Sequence, residues 1–435
     1  MDKKKRWIEW GKNLLIAALA VNAVWLSVRS GLVGRLDSLL KEEDYVPTSG
    51  QTQTEGRTEF ACPLRGTVRL PGENAGKCYG VLYDQESCDS LFQAVAGLLV
   101  EALSAPDQPE AMSRGQWEQM LTAAGGLCFD FQGEMPLDVL SGWLSGEETA
   151  LTVCVRRLGL AVWNEEAYLF YQDGQGSGFR CRADMVDTHR LEEALTGLAD
   201  NGAFYAFEAE QYGMLAEDTL LSEDAPAPQV YTASNPVAAG QDDLEALAGD
   251  LGFAINTNGI YYAGQWVARS GNDTLRLSDD GVVNYLADEE GGEHFPLSVE
   301  RDIPDRFDAV EACRALASAA IRPRCGEGRI YLQSVTDTQD GWEVDFGYSL
   351  DGIPVQLEEG SAAHFVVQGN RVTQFTLRLR SYAATGDRLT VLPVRQAAAA
   401  LEAMGLSGEE LMVVYSDGGG EAVRADWAAF SLGKE

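Results

Sequence analysis

Residues 349–375 read SLDGIPVQLEEGSAAHFVVQGNRVTQF, and how they are read decides the fold. The stretch has the pattern of two or three β-strands joined by tight turns. Gly352 permits the first turn, because glycine adopts positive φ without steric cost. Pro354 cannot donate a ladder hydrogen bond, so its strand is expected at a sheet edge, where it could accept a partner strand. No nucleophile, base or metal cluster stands out in the stretch.

Outward from this core, further strands are expected at RIYLQSV (329–335), GWEVDFGYSL (341–350), HFVVQ (364–368) and VTQFTLRLRSY (372–382). A helix capped by Asp308 should run to Ala320, another from Pro393 to Met404, and a last strand at ELMVVYSD. LRLSDDGVVNYLAD (275–288) alternates around Asp279-Asp280-Gly281, a hairpin turn signal. Gln241 to Gly252 is a helix with Leu244, Leu247 and Leu251 on one face. Acidic and proline residues cluster in SEDAPAPQVYTASNP (222–236), which reads as a break. Before it come strands at TVRL, YGVLY and LCFDF, and helices near 90–103, 113–124 and 137–144. LTVCVRRLGLAVWNEEAYLFYQ (151–172) forms an antiparallel hairpin.

The fold class is therefore α+β. A single N-terminal transmembrane helix precedes two or three extracytoplasmic modules of antiparallel sheet with packed helices. The divisions are a cytoplasmic tail 1–12, a signal anchor 13–33, a linker 34–59, a first α+β domain 60–221, a middle domain 236–297 and a C-terminal domain 298–435. The anchor rests on Lys3, Lys4, Lys5, Arg6 and Lys12 ahead of the apolar run 14–28, since basic residues are retained on the cytoplasmic side. A signal peptide cut near Ala20 or Ala23 is the competing reading. The anchor is favoured because no clean small-residue cleavage site follows and 32–40 continues as an amphipathic helix. VPTSGQTQTEGRTE (46–59) is polar and without period, a tether.

A formal net charge of −34, spread along the chain, repels a phosphate backbone, so nucleic acid is excluded as a partner. The bland reading of the acidity is that it keeps an exported domain soluble. Eight cysteines, Cys62, Cys78, Cys88, Cys128, Cys154, Cys181, Cys313 and Cys325, match no metal spacing. Cys128 and Cys154 sit in apolar strand runs as small buried residues, and Cys313 with Cys325 is the pair most readily bridged.

Fragments that resemble motifs fail on context. GENAGKC (72–78) is one residue short of a phosphate loop and carries Cys78 where a hydroxyl is needed. Ser38 and Lys41 have S-x-x-K spacing without the companion motifs. GQGSG (174–178) makes a hairpin. His189 lies in a capping environment, His364 on a strand, and His294 belongs to a third segment, so no two are spaced as metal ligands. The acidic turns SDDG and ADEEGG do not fit an EF-hand, and no carboxylate pair can be singled out. Neither a catalytic group, a cofactor nor a metal site is assigned.

The order of a basic tail, one anchor helix and a long exported region with FDFQGEMPLDVL, Asn235-Pro236, LRLSDDGVVNYLAD and YSLDGIPVQLEEG…VVQGNRVTQFTLRLRSY resembles the YycH/YycI type of regulators of Gram-positive bacteria. The length is closer to YycH. The resemblance implies a single-pass cell-membrane protein, not an enzyme, that controls the sensor histidine kinase of a cell-wall two-component system through transmembrane and extracytoplasmic contacts. A paralogous regulator of the same type is an implied second partner. The residues themselves are compatible. Ala20, Ala23 and Ser27 give a small-residue face for helix–helix approach, and Asn22 adds an amide in the apolar run. The alternative is a cell-surface binding module for peptidoglycan or a protein partner, and an ordinary anchor that merely tolerates Asn22.

Overall fold

The chain is α+β, built from antiparallel sheets and packed helices. The computed structural model describes residues 52–237, 241–253, 260–262, 265–270, 273–288, 294–298 and 303–431. The tail 1–12, the anchor 13–33 with Ala20, Asn22, Ala23 and Ser27, and Ser38 and Lys41 lie outside these residues. Among the described residues no helix is long and apolar enough to cross a membrane.

The first half runs through helix α1 (Thr52–Ala61), strands β1 (Arg65–Arg69) and β2 (Cys78–Val81), helix α2 (Gln85–Ser104), β3 (Glu110–Ala111), α3 (Arg114–Thr122), β4 (Leu127–Pro136) and α4 (Leu137–Ser145). Then follow β5 (Cys154–Trp163), β6 (Glu166–Asp173), β7 (Gly178–Arg182), α5 (Thr188–Ala194), β8 (Ala203–Tyr205) and β9 (Leu220–Ser222). Seven of these strands form one sheet in the order β2-β1-β4-β5-β6-β7-β3. LCFDF shows why it is buried on both faces. Phe129 packs edge-on against Phe92 of α2 at 5.2 Å, whereas its neighbour Cys128 joins the cluster with Trp117 and Phe170 on the opposite face. Asp84 caps α2 by accepting from the Ser87 N–H, and Ser113 with Gln116 forms a capping box for α3. The β5–β6 hairpin turns through Asn164 and Glu165, both at positive φ.

The second half contains β10 (Gln229–Ser234), α6 (Gln241–Asp250), β11 (Ile260–Tyr262), β12 (Gln265–Ser270), β13 (Asp273–Ser278), β14 (Val282–Leu286) and α7 (Arg306–Ala320). It ends with β15 (Arg329–Asp337), β16 (Gly341–Leu350), β17 (Ile353–Leu357), β18 (Ala363–Gln368), β19 (Arg371–Arg378), β20 (Ser381–Arg388), α8 (Val394–Ala403), β21 (Glu410–Asp417) and β22 (Val423–Phe430). An eleven-stranded sheet follows the order β11-β12-β13-β14-β19-β18-β16-β17-β21-β22, with β15 on the other side of β16. Segments 236–297 and 298–435 thus give strands to one sheet, joined where β14 pairs with β19. The break expected at 222–236 contains β10, which pairs with β20.

Four sequence expectations are corrected. Pro354 does not mark an edge: β17 lies between β16 and β21. Its pairing with β21 begins at Val355, so the missing N–H falls before that ladder starts. The cap of α7 is Asp305, which accepts from the Asp308 N–H while Asp308 answers as the third residue of a capping box. The linker 34–59 gives way to helix at Thr52, held by Arg57 to Glu311 at 2.9 Å and Glu59 to Arg322 at 2.7 Å. Tertiary ion pairs outweigh the weak helix propensity of that polar stretch. Cys313 and Cys325 are free thiols: Cys313 is buried on the inner face of α7, and Cys325 Sγ donates to the Gly328 carbonyl at 2.9 Å.

Between the sheets, Phe60 packs edge-on against Trp143 of α4 and Phe346 of β16. The indole of Trp143 donates to Glu311 on α7 at 3.0 Å, and Arg306 at the start of α7 pairs with Asp138 of α4 at 2.8 Å. Residues Thr54–Glu435 form one compact unit.

Candidate functional site

The face of the eleven-stranded sheet opposite α7 carries a polar row. Strand alternation sets it up: in VDF, AHF and FTLR the apolar residues Val344, Phe346, Phe365, Phe375 and Leu377 are buried toward α7, and Asp345, His364, Thr376 and Arg378 point outward. Register then aligns them. Ser334 opposes Asp345, Asp345 opposes His364, His364 opposes Thr376, and Thr376 opposes Asn284 across β15, β16, β18, β19 and β14.

Asp345 is the hub. It accepts from Ser361 Oγ at 2.7 Å, from His364 Nδ1 at 3.0 Å and from Ser334 Oγ at 3.2 Å. Although burial opposes its charge, the His364 and Ser361 hydrogen bonds hold the carboxyl below the usual Asp range. In return the hydrogen bond to Asp345 raises the His364 imidazole above its ordinary value, with the nearby Glu343 charge adding to the effect. Further along, Thr376 Oγ1 donates to Asn284 at 2.9 Å. Arg378 donates to the Ser361 carbonyl at 3.2 Å and lies flat against Gly360, where a Cβ would come within 3.1 Å of the guanidinium carbon. A cleft of about 480 Å³ is lined by Gln333, Ser334, Asp345, Ser361, His364 and Arg378. Both serines donate to Asp345 rather than to His364. The hydroxyls are therefore not set up for proton removal by the imidazole, and the arrangement is suited to binding through fixed donors.

A second ionic cluster is buried. Glu410 at the start of β21 meets Arg156 at 2.6 Å, Arg157 at 3.2 Å and Arg65 at 3.7 Å. Arg157 also reaches Asp130 at 3.2 Å, Gln172 at 2.8 Å and Asp218. Consecutive arginines on a regular strand would point to opposite faces; the bulge between Val155 and Arg157 turns both toward Glu410. The neighbouring arginines keep Asp130 and Asp218 below the usual carboxylate range despite their burial. This cluster ties β1 and β5 of one sheet to β21 of the other.

The remaining residues singled out in the sequence are dispersed. His189 is an exposed residue in the first turn of α5, whose cap Asp187 accepts its N–H. His294 lies against Phe253 at 4.6 Å, near the buried Asp273. GENAGKC is a loop containing a single 3-10 turn, and GQGSG closes the β6–β7 hairpin. All eight cysteines are free. Burial pushes Cys154, Cys181, Cys78 and Cys325 up to about 11 and Cys128 up to about 12, the behaviour of inert structural thiols. Among the described residues no group of three His, Cys, Asp or Glu side chains is placed to hold a metal ion. Asp345, Ser361 and Arg378 were not singled out from sequence. Their outward alternation was readable, but the register that gathers them was not.

No family model matches this chain, and no curated protein matches it. A crystal structure of an uncharacterized protein from Eubacterium rectale ATCC 33656 at 1.45 Å resolution is similar over 47% of this chain and 77% of that one. The two share 10% sequence identity, with a TM-score of 0.31, values that assign neither fold nor function to the present chain.

Proposed function

We propose that this chain is a non-enzymatic, membrane-anchored binding module that regulates a sensor histidine kinase of a cell-envelope two-component system. Residues 13–33 act as the anchor and the α+β body works outside the membrane. The observation that supports a binding role is the open polar row Ser334–Asp345–His364–Thr376–Asn284, presented on rigid strands, in a body whose buried arginines, among the described residues, are held in internal ion pairs. Sites built on strands hold their side chains more closely than loops do. The kinase as partner rests on the resemblance to YycH/YycI regulators and on Ala20, Asn22, Ala23 and Ser27, which offer a small, amide-bearing face to a neighbouring transmembrane helix.

The test is purification of the full-length protein from its own cells in mild detergent, beside a variant whose residues 13–33 are replaced by an unrelated anchor. Copurification of a sensor histidine kinase with the native anchor, weakened by the swap and by Asn22→Leu, is the expected result. Recovery of wall fragments without a kinase would overturn it in favour of a cell-surface binding module.

A further inference from the structure

We propose that the cleft beside His364 binds the carboxylate of a small polar ligand, with the Arg378 guanidinium as its principal donor and His364 Nε2 as the second. The cleft holds a surplus of hydrogen-bond donors. Asp345 already accepts three hydrogen bonds within the cleft, so its acceptor capacity is largely used. His364 spends Nδ1 on Asp345, which fixes the ring and leaves Nε2 without a partner among the described residues. Arg378 makes one side-chain hydrogen bond, to the Ser361 carbonyl, and has no carboxylate within 4.0 Å among the described residues. Among the described residues Arg269, Arg276, Arg388, Arg395 and Arg424 also make no ion pair, but they are exposed to water, whereas Arg378 is half-buried at the cleft, a setting in which Arg57, Arg306 and Arg329 are each paired with a carboxylate.

A guanidinium with several donors open toward a cleft matches a planar carboxylate, which it can bind through two parallel bonds. Gly360 keeps it there: any side chain at this position, where φ is +59°, would press on the guanidinium. The cleft volume falls in the range that suits a ligand of dipeptide size. Protonation of His364 strengthens the site. The imidazole is faced by Asp345 and Glu343 from β16 and by Arg378 from β19, while β15 supplies the neutral Ser334 and Gln333. An anion therefore binds more tightly at pH 6 than at pH 8.

This inference deepens the binding-module reading and rests on it for its purpose, but its test needs no kinase. Full-length protein in detergent, carrying histidines labelled with 13C at Cε1, is titrated with N-acetyl-alanyl-alanine, with its C-terminal amide, and with acetate. The three histidine resonances are assigned by single His→Gln variants. A saturable shift of the His364 resonance by the free acid, half-complete on the order of 1 mM at pH 6, is expected. The amide should give none. Arg378→Ala should weaken binding at least tenfold while leaving the His189 and His294 resonances in place, and Gly360→Ala should weaken it too. Saturation by acetate at the same concentration would assign recognition to the carboxylate alone; tighter binding of the dipeptide would add its backbone. No saturable shift by either acid up to about 50 mM, an equal response to the amide, or an Arg378→Ala variant that binds normally overturns the proposal. A kinase that copurifies with a protein taking up no carboxylate would leave the regulatory reading standing and remove only this one.

Discussion

His364 and Asp345 show how one cross-strand pair sets a pH response. The imidazole is raised above 6.5 in the folded state, so its contribution to stability is fully present below pH 6.5 and is lost as pH climbs through the raised value. The carboxyl is lowered from 3.8, so its contribution is present above pH 3.8 and disappears as pH falls through the depressed value. Both contributions coexist in mildly acid solution. His364→Gln should therefore flatten the decline in stability between roughly pH 6 and pH 8, read as urea midpoints at the two ends. A variant that kept the native difference between those midpoints would show that another group carries the response. The His364 and Asp345 side chains are 32% and 26% exposed, so solvent screening keeps the effect modest.

At the scale of elements, one close contact between the two sheets depends on a glycine. A Cβ on Gly133 of β4 would stand 2.4 Å from the Leu332 carbonyl of β15, so only the absence of a side chain lets these two strands touch. β4 reaches this contact through an irregularity between Asp130 and Met135, where Gln132 takes positive φ and its N–H is received by Asp130. Gly133→Ala must move backbone against backbone and should cost about 1–3 kcal/mol in chemical denaturation. Gly97→Ala, on an open face of α2 with nothing within 4 Å, should be neutral or slightly stabilising. Equal effects of the two would refute the close-approach argument. The contrast also marks what the sequence could convey. Strands such as GWEVDFGYSL and ELMVVYSD and the turn at Asp279-Asp280-Gly281 were legible, because local alternation and turn chemistry produce them. Pro354 misled because its cost depends on where the neighbouring ladder begins, and a one-dimensional pattern does not contain that. The polar row was half legible: alternation shows which side chains face outward, but only pairing across five strands brings Ser334 to Asn284.

For the whole molecule, the question is whether the segments expected as separate domains can come apart. Glu410, fully buried, is the point where β21 of the large sheet meets Arg65 on β1 and Arg156 and Arg157 on β5 of the small one. Those three arginines are balanced by Asp130, Asp218 and Glu410, three charges against three. The sequence does not announce this cluster, since it depends on a bulge that swings neighbouring arginines to one side and on strands more than 200 residues apart. Removing one partner of a buried ion pair leaves an uncompensated charge and costs about 3–5 kcal/mol. Because Glu410 stands on the large sheet and is paired with arginines of the small one, Glu410→Gln should lower the stability of both together. Amide exchange should then rise in β4–β6 as well as in β16–β19 while unfolding remains a single transition. The ion pairs Arg306–Asp138 and Arg329–Asp89 cross the same boundary and act in the same direction, so no local loss near β21 should be absorbed there. If the large sheet lost protection while the small sheet kept its own, the two would be thermodynamically separate bodies and the buried cluster only a contact between them.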